Sequence, residues 1–385
     1  VTAATPLFVG IMSGTSADGV DVAVVRIGPR PELLHFSEQP LPAKLRRAIL
    51  RLAEPGFGEI DNTGALDRAL GALYADAALT TIAVAGLQRR DIAAIGNHGQ
   101  TIRHRPDGRH PFSIQIGCAA TIAEQTGITV VSDFRRRDIA SGGQGAPLVP
   151  FAHRQLFASP RESRAVLNLG GIANITWLGA DGSVAGFDTG PANMLMDALI
   201  RHISHGEQSC DLDGRLAAAG SVCAALLERL LQHPFLQQPP PKSTGREQFG
   251  AEIVEQILNW PDISDADRMA TASRFTVEAI AQSIRFLPNA PACWLCCGGG
   301  VRNGHLMREL QQRLSPASVE TTASAGMEPQ AVEAACFALL ARQTLAGDAN
   351  TLAAVTGASH NSCGGSITPG DNWQALLQQI PAWTR

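Results

Sequence analysis

Short apolar runs separated by polar, glycine-bearing turns dominate the first 130 residues, and the rhythm returns after residue 160. Leu7–Met12 (LFVGIM) is continuously apolar and Val20–Ile27 (VDVAVVRI) alternates; both predict strands, with Leu33–Ser37 (LLHFS) a third. A helix is expected after Pro42, and a longer one over Thr63–Val84, rich in alanine and leucine. Asp91–Gly96 and Phe112–Gly117 read as strands flanking the polar segment Asn97–His110. Cys118–Gly127 reads as a helix stopped by its glycine, and Ile128–Phe134 as another strand.

The second half repeats the opening pattern: Arg164–Leu169, a Gly170-Gly171 turn, Ile172–Leu178, a second turn, then Ser183–Asp188. Pro191 suits the first turn of a following helix. Prolines keep Gln232–Gly250 out of any long helix. Ser264 is a cap signal before a helix, Ala292–Gly300 (ACWLCCGGG) a buried strand entering a glycine turn, and Pro329–Leu345 a final long helix. The pattern predicts an α/β fold of two similar halves, residues 1–150 and 151–385, with the terminal helix packing back at the hinge.

A chain of 385 residues fits two domains, and 45% apolar residues supply their cores. A net charge of −4 and a single tyrosine, Tyr74, disfavour a nucleic-acid binder. Eight cysteines are spread thinly, and Cys293, Cys296 and Cys297 suit buried thiols better than a zinc knuckle. No stretch is apolar enough to cross a membrane, and no signal-like leader is visible; a cytoplasmic protein is expected.

Four polar clusters interrupt the pattern. Ser13–Asp21 (SGTSADGVD) has two readings. One is a hairpin turn around Asp18-Gly19; the other is a phosphate cradle, with backbone N–H groups and the Ser13, Thr15 and Ser16 hydroxyls facing an anion. Asp18 and Asp21 would repel a bare phosphate, and a Mg²⁺ ion bridging to it reconciles them. The Walker A ending is absent. Leu167–Thr176 (LNLGGIANIT) places Asn168 and Asn174 about a Gly-Gly turn that could hold the far side of a triphosphate or be an ordinary turn. Asp188 in GFDTGPANM is placed as a general base facing a cleft, or as a helix cap. Gly298, Gly299 and Gly300, before Asn303, would let backbone approach a base or ribose. His98, Arg135, Arg136 and Arg137 lie in polar segments suited to a polyol or acidic sugar, with one or two of the arginines expected at the surface.

Eight ordered stretches resemble the anhydro-N-acetylmuramic acid kinase family over essentially the whole chain. They are GIMSGTSADGVDVAVV, IGNHGQTIRH, DFRRRDIASGGQGAPLVP, LNLGGIANIT, GFDTGPANMLMD, KSTGREQF, CCGGGVRNGHL and GMEPQAVEAACFALLA. The resemblance implies two ribonuclease-H-like domains about a nucleotide and sugar cleft, with ATP and Mg²⁺ as cofactors and 1,6-anhydro-N-acetylmuramic acid as substrate. It implies an ATP phosphate loop over Gly14, Thr15, Ser16, Ala17, Asp18, Gly19, Val20 and Asp21. Further nucleotide contacts are expected from Asn168, Gly170, Gly171, Gly298, Gly299, Gly300 and Asn303. Asp188 is implied as the base, Glu333 as a supporting carboxylate, and Ser13, His98, Arg137 and Asp188 as sugar contacts, with no metal ligand assigned. Ala17 and Ala192 depart from the family's usual residues, larger at the first and glycine at the second. A homodimer in the cytoplasm, in recycling of cell-wall sugars, is implied as well. The alternatives are a sugar kinase acting on a free hydroxyl, and a non-catalytic sugar or nucleotide sensor.

Overall fold

A computed structural model of the chain describes residues 5–56 and 58–383, with Arg246 and Glu247 described by backbone alone. The chain folds as two compact units, 1–156 with 326–385 and 157–325. This corrects the second half expected to run to residue 385. The closing sixty residues join the first unit because their long helix, Val332–Ala346, packs on the first sheet.

In the first unit β1 (Leu7–Ser13), β2 (Gly19–Arg26) and β3 (Glu32–Pro40) form an antiparallel meander. β4 (Ile92–Arg105) lies parallel to β1, β5 (Phe112–Ile116) pairs back onto β4, and β6 (Val130–Ser132) runs parallel to β4. A short strand, Ser366–Thr368, closes the edge beside β6. The segment read as a polar connection from Asn97 therefore continues β4 to Arg105, where β5 completes its backbone pairing. The helices Ala43–Ala53, Glu59–Val84 and Ala119–Thr126 fall where the pattern put them, the last capped by Gly127 at φ +70°.

Two glycines let the 332–346 helix lie against this sheet. A Cβ built on Gly10 would fall on the Ala334 carbonyl oxygen, and one on Gly96 on that of Phe337. Any side chain at either strand position would lift the helix, and with it Glu333 and Phe337.

The second unit repeats the strand order. β7 (Arg164–Leu169), β8 (Ile172–Leu178) and β9 (Val184–Pro191) form a meander; β10 (Cys293–Cys297) runs parallel to β7, and β11 (Ser318–Thr321) parallel to β10. A three-strand meander followed by two parallel strands in both sheets is the expected ribonuclease-H-like plan. The helix Asp265–Ser283 starts at the predicted Ser264 cap, which forms a reciprocal capping box with Asp267. Helices Asn193–Ile203, Asp265–Ser283 and Gly304–Leu314 bury a core around Trp294, Phe187, Phe249 and Phe275.

Candidate active site

The β1–β2 turn is braced from below. The Ser13 hydroxyl lies 2.8 Å from Gln100 Oε1 and 3.1 Å from the Gly19 carbonyl, and Gln100 Nε2 donates to the Gly14 carbonyl at 3.1 Å. Ser13 is 2% exposed, and its hydroxyl holds the loop's shape. Ala17 sits at φ +52° with its methyl buried and its N–H bonded to the Gly14 carbonyl; Val20 is buried as well. Any ligand contact from these two must come from backbone. Thr15 and Ser16 stand exposed at the tip, and nothing among the described residues takes their hydroxyls. Asp18 is exposed and paired with Arg46 at 3.0 Å, whereas half-buried Asp21 sits on β2 opposite Met12.

A second polar region of this unit is a cavity of about 200 Å³ beside the middle of β4 and the C-terminal ends of β5 and β6, lined among others by Asp67, Asn97, His98, Asp133 and Arg136. His98 comes from β4, and its ring lies tilted against Phe337 of the 332–346 helix, with ring centres 4.6 Å apart. The Arg135 guanidinium donates to His98 Nε2 at 2.8 Å and to the Gly145 carbonyl at 2.7 Å. Because arginine only donates, Nε2 is the acceptor and the ring proton is on Nδ1, which is buried without a hydrogen-bond partner. Burial first, then the Arg135 charge, hold His98 well below the usual histidine range, with the Gly99 backbone opposing. The ring is therefore neutral at physiological pH. Burial lowers Arg135 to about 10 against the attraction of Glu333 and Asp138. Burial raises Glu333, and Arg135 offsets part of the rise. His98, Arg135 and Glu333 thus form one electrostatic group. Arg137, expected to bind sugar, is exposed on the short helix Arg136–Ala140. Helical spacing turns Arg135 inward and Arg137 outward.

In the second unit the Gly170-Gly171 turn is capped by backbone. The N–H of Asn193 donates to Gly170 O at 3.0 Å, and those of Ala192 and Met194 to Gly171 O at 2.9 and 3.2 Å. Asn193 Nδ2 also donates to Leu169 O at 3.0 Å. Asn168, one residue before the end of β7, pairs with Cys297 at the end of β10, so this turn and the triglycine turn are neighbours. Two of the three glycines are required by packing. A Cβ on Gly298, at φ +81°, would strike Asn168 Oδ1, and one on Gly300 would lie 2.6 Å from Leu169 Cβ. Of the three, Gly299 is the exposed one, its Cβ position 4.0 Å from Asn193 Nδ2. Asn303 Oδ1 caps the helix Gly304–Leu314 by accepting the Leu306 N–H at 3.0 Å, leaving only its amide group for other contacts. Asn193 joins the two turns, and sequence reading passed over it. The signal was an asparagine just after Gly-Pro-Ala, where a helix start meets the hairpin.

Asp188 lies inside β9 opposite Asn174, and Gly190 opposite Ala173, so Thr189 is an extra residue that bulges the strand. Bulges re-aim neighbouring side chains. The helix cap is Ala192 and Pro191 ends the strand, so the cap reading of Asp188 and the helical placement of Pro191 are both corrected. The loop Lys242–Gly245 runs alongside: the Asp188 N–H donates to Lys242 O at 3.2 Å, and the Thr244 N–H to Asp188 Oδ2 at 2.9 Å. One carboxylate oxygen is held and its position fixed, the arrangement a proton acceptor requires. Among the described residues no three histidine, cysteine, aspartate or glutamate side chains converge to hold a metal ion.

A family model described as "Anhydro-N-acetylmuramic acid kinase" matches residues 6–370. A curated relative of that name from Xanthomonas axonopodis pv. citri is 46% identical over 95% of this chain and 98% of its own. Another, from Shewanella amazonensis, is 44% identical over 94% of this chain and 98% of its own. Among solved structures, a ROK family glucokinase from Streptomyces griseus in complex with glucose and AMPPNP aligns at 15% identity and a TM-score of 0.41, covering 88% of this chain and 99% of that one.

Proposed function

The chain belongs to the anhydro-N-acetylmuramic acid kinase family, and on that premise we propose that it uses ATP to convert 1,6-anhydro-N-acetylmuramic acid to N-acetylmuramic acid 6-phosphate and ADP. What supports this beyond the match is Asp188, a carboxylate oriented by the Thr244 N–H on a bulged strand. In the substrate, O6 is tied to C1, so there is no 6-hydroxyl to deprotonate. Asp188 instead takes a proton from a water that attacks C1. The C1–O6 bond breaks, and O6 becomes the nucleophile toward the γ-phosphorus.

The other groups divide the remaining work. The exposed Thr15–Ser16 tip and the backbone of Gly14–Asp21 are assigned to phosphate, and the Gly170-Gly171 and Gly299 backbone to the nucleotide. His98, Arg135 and Glu333 are assigned to the sugar; a neutral Nδ1–H donor, a cation and a carboxylate suit its hydroxyl, amide and carboxylate groups. Oxygen donors suit Mg²⁺ held by one or two carboxylates and by phosphate, and Asp21 is assigned to it rather than Asp18, which is engaged by Arg46. When bound, Mg²⁺ would offset charge on the transferring phosphoryl group. We also assign a homodimer in the cytoplasm, which sedimentation velocity checks; no helix among the described residues is long and apolar enough to cross a membrane.

The deciding experiment is turnover in ¹⁸O-labelled water, with the 1,6-anhydro sugar compared with reducing amino sugars. Phosphorylation of the anhydro sugar with the C6–O–P oxygen unlabelled supports the reading. Phosphorylation confined to reducing sugars would select the free-hydroxyl kinase, and binding without turnover of any sugar would select the sensor.

A further inference from the structure

Next to Asp188 an ammonium group is enclosed by aromatic rings. Lys242 is 8% exposed, with Nζ 4.6 Å from the ring centre of Phe235, 4.7 Å from Phe286 and 5.8 Å from Phe187. Nζ donates one hydrogen bond, to the Phe235 carbonyl at 3.2 Å. The walls come from three places: Phe187 precedes Asp188 on β9, Phe235 lies in the turn Pro234–Gln237, and Phe286 in the turn Ile284–Phe286. Ring faces and a carbonyl replace part of the lost hydration, yet burying a cation stays costly. A methionine would fill the same space without that cost, so packing alone does not account for a lysine.

The charges around it point to Asp188. Arg285 faces the box from the Phe286 turn, donating to Leu236 O at 2.6 Å, and disfavours a second cation. His233, which caps the Phe235 turn, lies on Phe249 and is held below the usual histidine range by burial. The stabilising charge is the Asp188 carboxylate. Burial, then Arg285, lower Lys242 to about 8, with Asp188 opposing. The same residue grips Asp188 through the main chain, since Lys242 O accepts the Asp188 N–H and Thr244, two residues on, binds the carboxylate. Residues 238–245 have no helix or strand of their own to fix this path.

We propose that Lys242 is the positioning residue of Asp188: its ammonium, locked in the phenylalanine box, pins residues 242–244 along β9 so that Thr244 orients the carboxylate, and its charge favours the ionised form. The proposal rests on the reading of Asp188 as the base.

The test uses the full chain with ATP and the anhydro sugar, reading kcat, both KM values and the pH dependence of kcat, alongside thermal melting. For Lys242→Met we expect kcat to fall about 30-fold, KM values to hold within about threefold, and the acid limb of the kcat profile to move up by about one pH unit. Lys242→Arg, which keeps a cation against the rings, should recover most of kcat and return the acid limb. Phe286→Leu, which opens one wall, should move the limb in the same direction by less, and it carries the test if Lys242→Met does not fold. A wild-type kcat and acid limb in Lys242→Met, or in Phe286→Leu where that variant stands in, overturns the proposal. Loss of turnover in Asp188→Asn alongside such a result removes only the role of Lys242. Wild-type turnover in Asp188→Asn removes the reading of Asp188 itself.

Discussion

The two sheets share one strand order, yet their first hairpins are held by different chemistry. The β1–β2 turn is braced by side chains, with Ser13 and Gln100 tying Gly14 to Gly19. The β7–β8 turn is braced by main chain, its glycine carbonyls taking the N–H groups that open the helix Asn193–Ile203. The carboxylates differ in the same way. Glu333 is raised because burial outweighs Arg135, whereas Asp188 accepts a fixed N–H and faces Lys242. The repeated backbone plan thus sets its two carboxylates in opposite surroundings, one raised by burial beside a cation and the other accepting a main-chain N–H.

The sharpest way to break this contrast is to exchange the carboxylates for amides. Asp188→Asn should lower kcat by about 10² or more with substrate binding retained, while Glu333→Gln should cost about tenfold. Equal losses, read from initial rates and from calorimetric titration of the sugar, would erase the division of roles.

Next in size is the way glycines are used. Gly96→Ala must displace the Phe337 carbonyl and should destabilise by about 3 kcal/mol in urea unfolding, the upper range of overpacking. Gly171→Ala, whose Cβ would sit 3.7 Å from Met194 Cβ, should change stability by less than about 0.5 kcal/mol. A large cost at Gly171 would place the two turns under the same constraint.

Smaller again are the braces. Ser13→Ala leaves Gln100 Oε1 without its donor and should raise the KM for ATP about fivefold with kcat little changed, the mark of uniform binding. Asn193→Ala, which keeps the backbone caps, should raise it about twofold. The reverse order would mean that side-chain bracing matters more in the second hairpin.

The mildest effect concerns acid. In the first unit burial lowers His98, His104 and His153, the last to about 3; in the second it lowers His233. These groups bind protons more readily unfolded than folded, so stability is complete above the unfolded value near 6.5 and is lost as pH falls below it. Hydrogen exchange on the intact chain between pH 7 and 5 should therefore quicken more in peptides of 1–156 than in those of 157–325. His153→Gln should reduce the difference.

Local pattern determined a great deal of this protein. Alternating and continuous apolar runs placed the meander strands, Ser264 and Gly127 marked helix ends, and the repeated strand-turn-strand order foretold two similar halves. Motif spacing brought Asp188, Glu333, His98 and the glycine turns into view, because reactive groups and tight turns restrict residue type position by position. Tertiary structure decided which of those groups are free to act. Three-dimensional packing engages the side chains of Ser13 and Val20 and, at Gly298 and Gly300, takes the space where a side chain would be, which leaves their backbone as the group a ligand could meet. The inward turn of Arg135, the bulge at Thr189, Asn193 between two turns and Lys242 in its ring box depend on partners tens of residues away. Desolvation and hydrogen bonding act through space, and a residue's neighbours in space are settled only when the sheets and helices have packed.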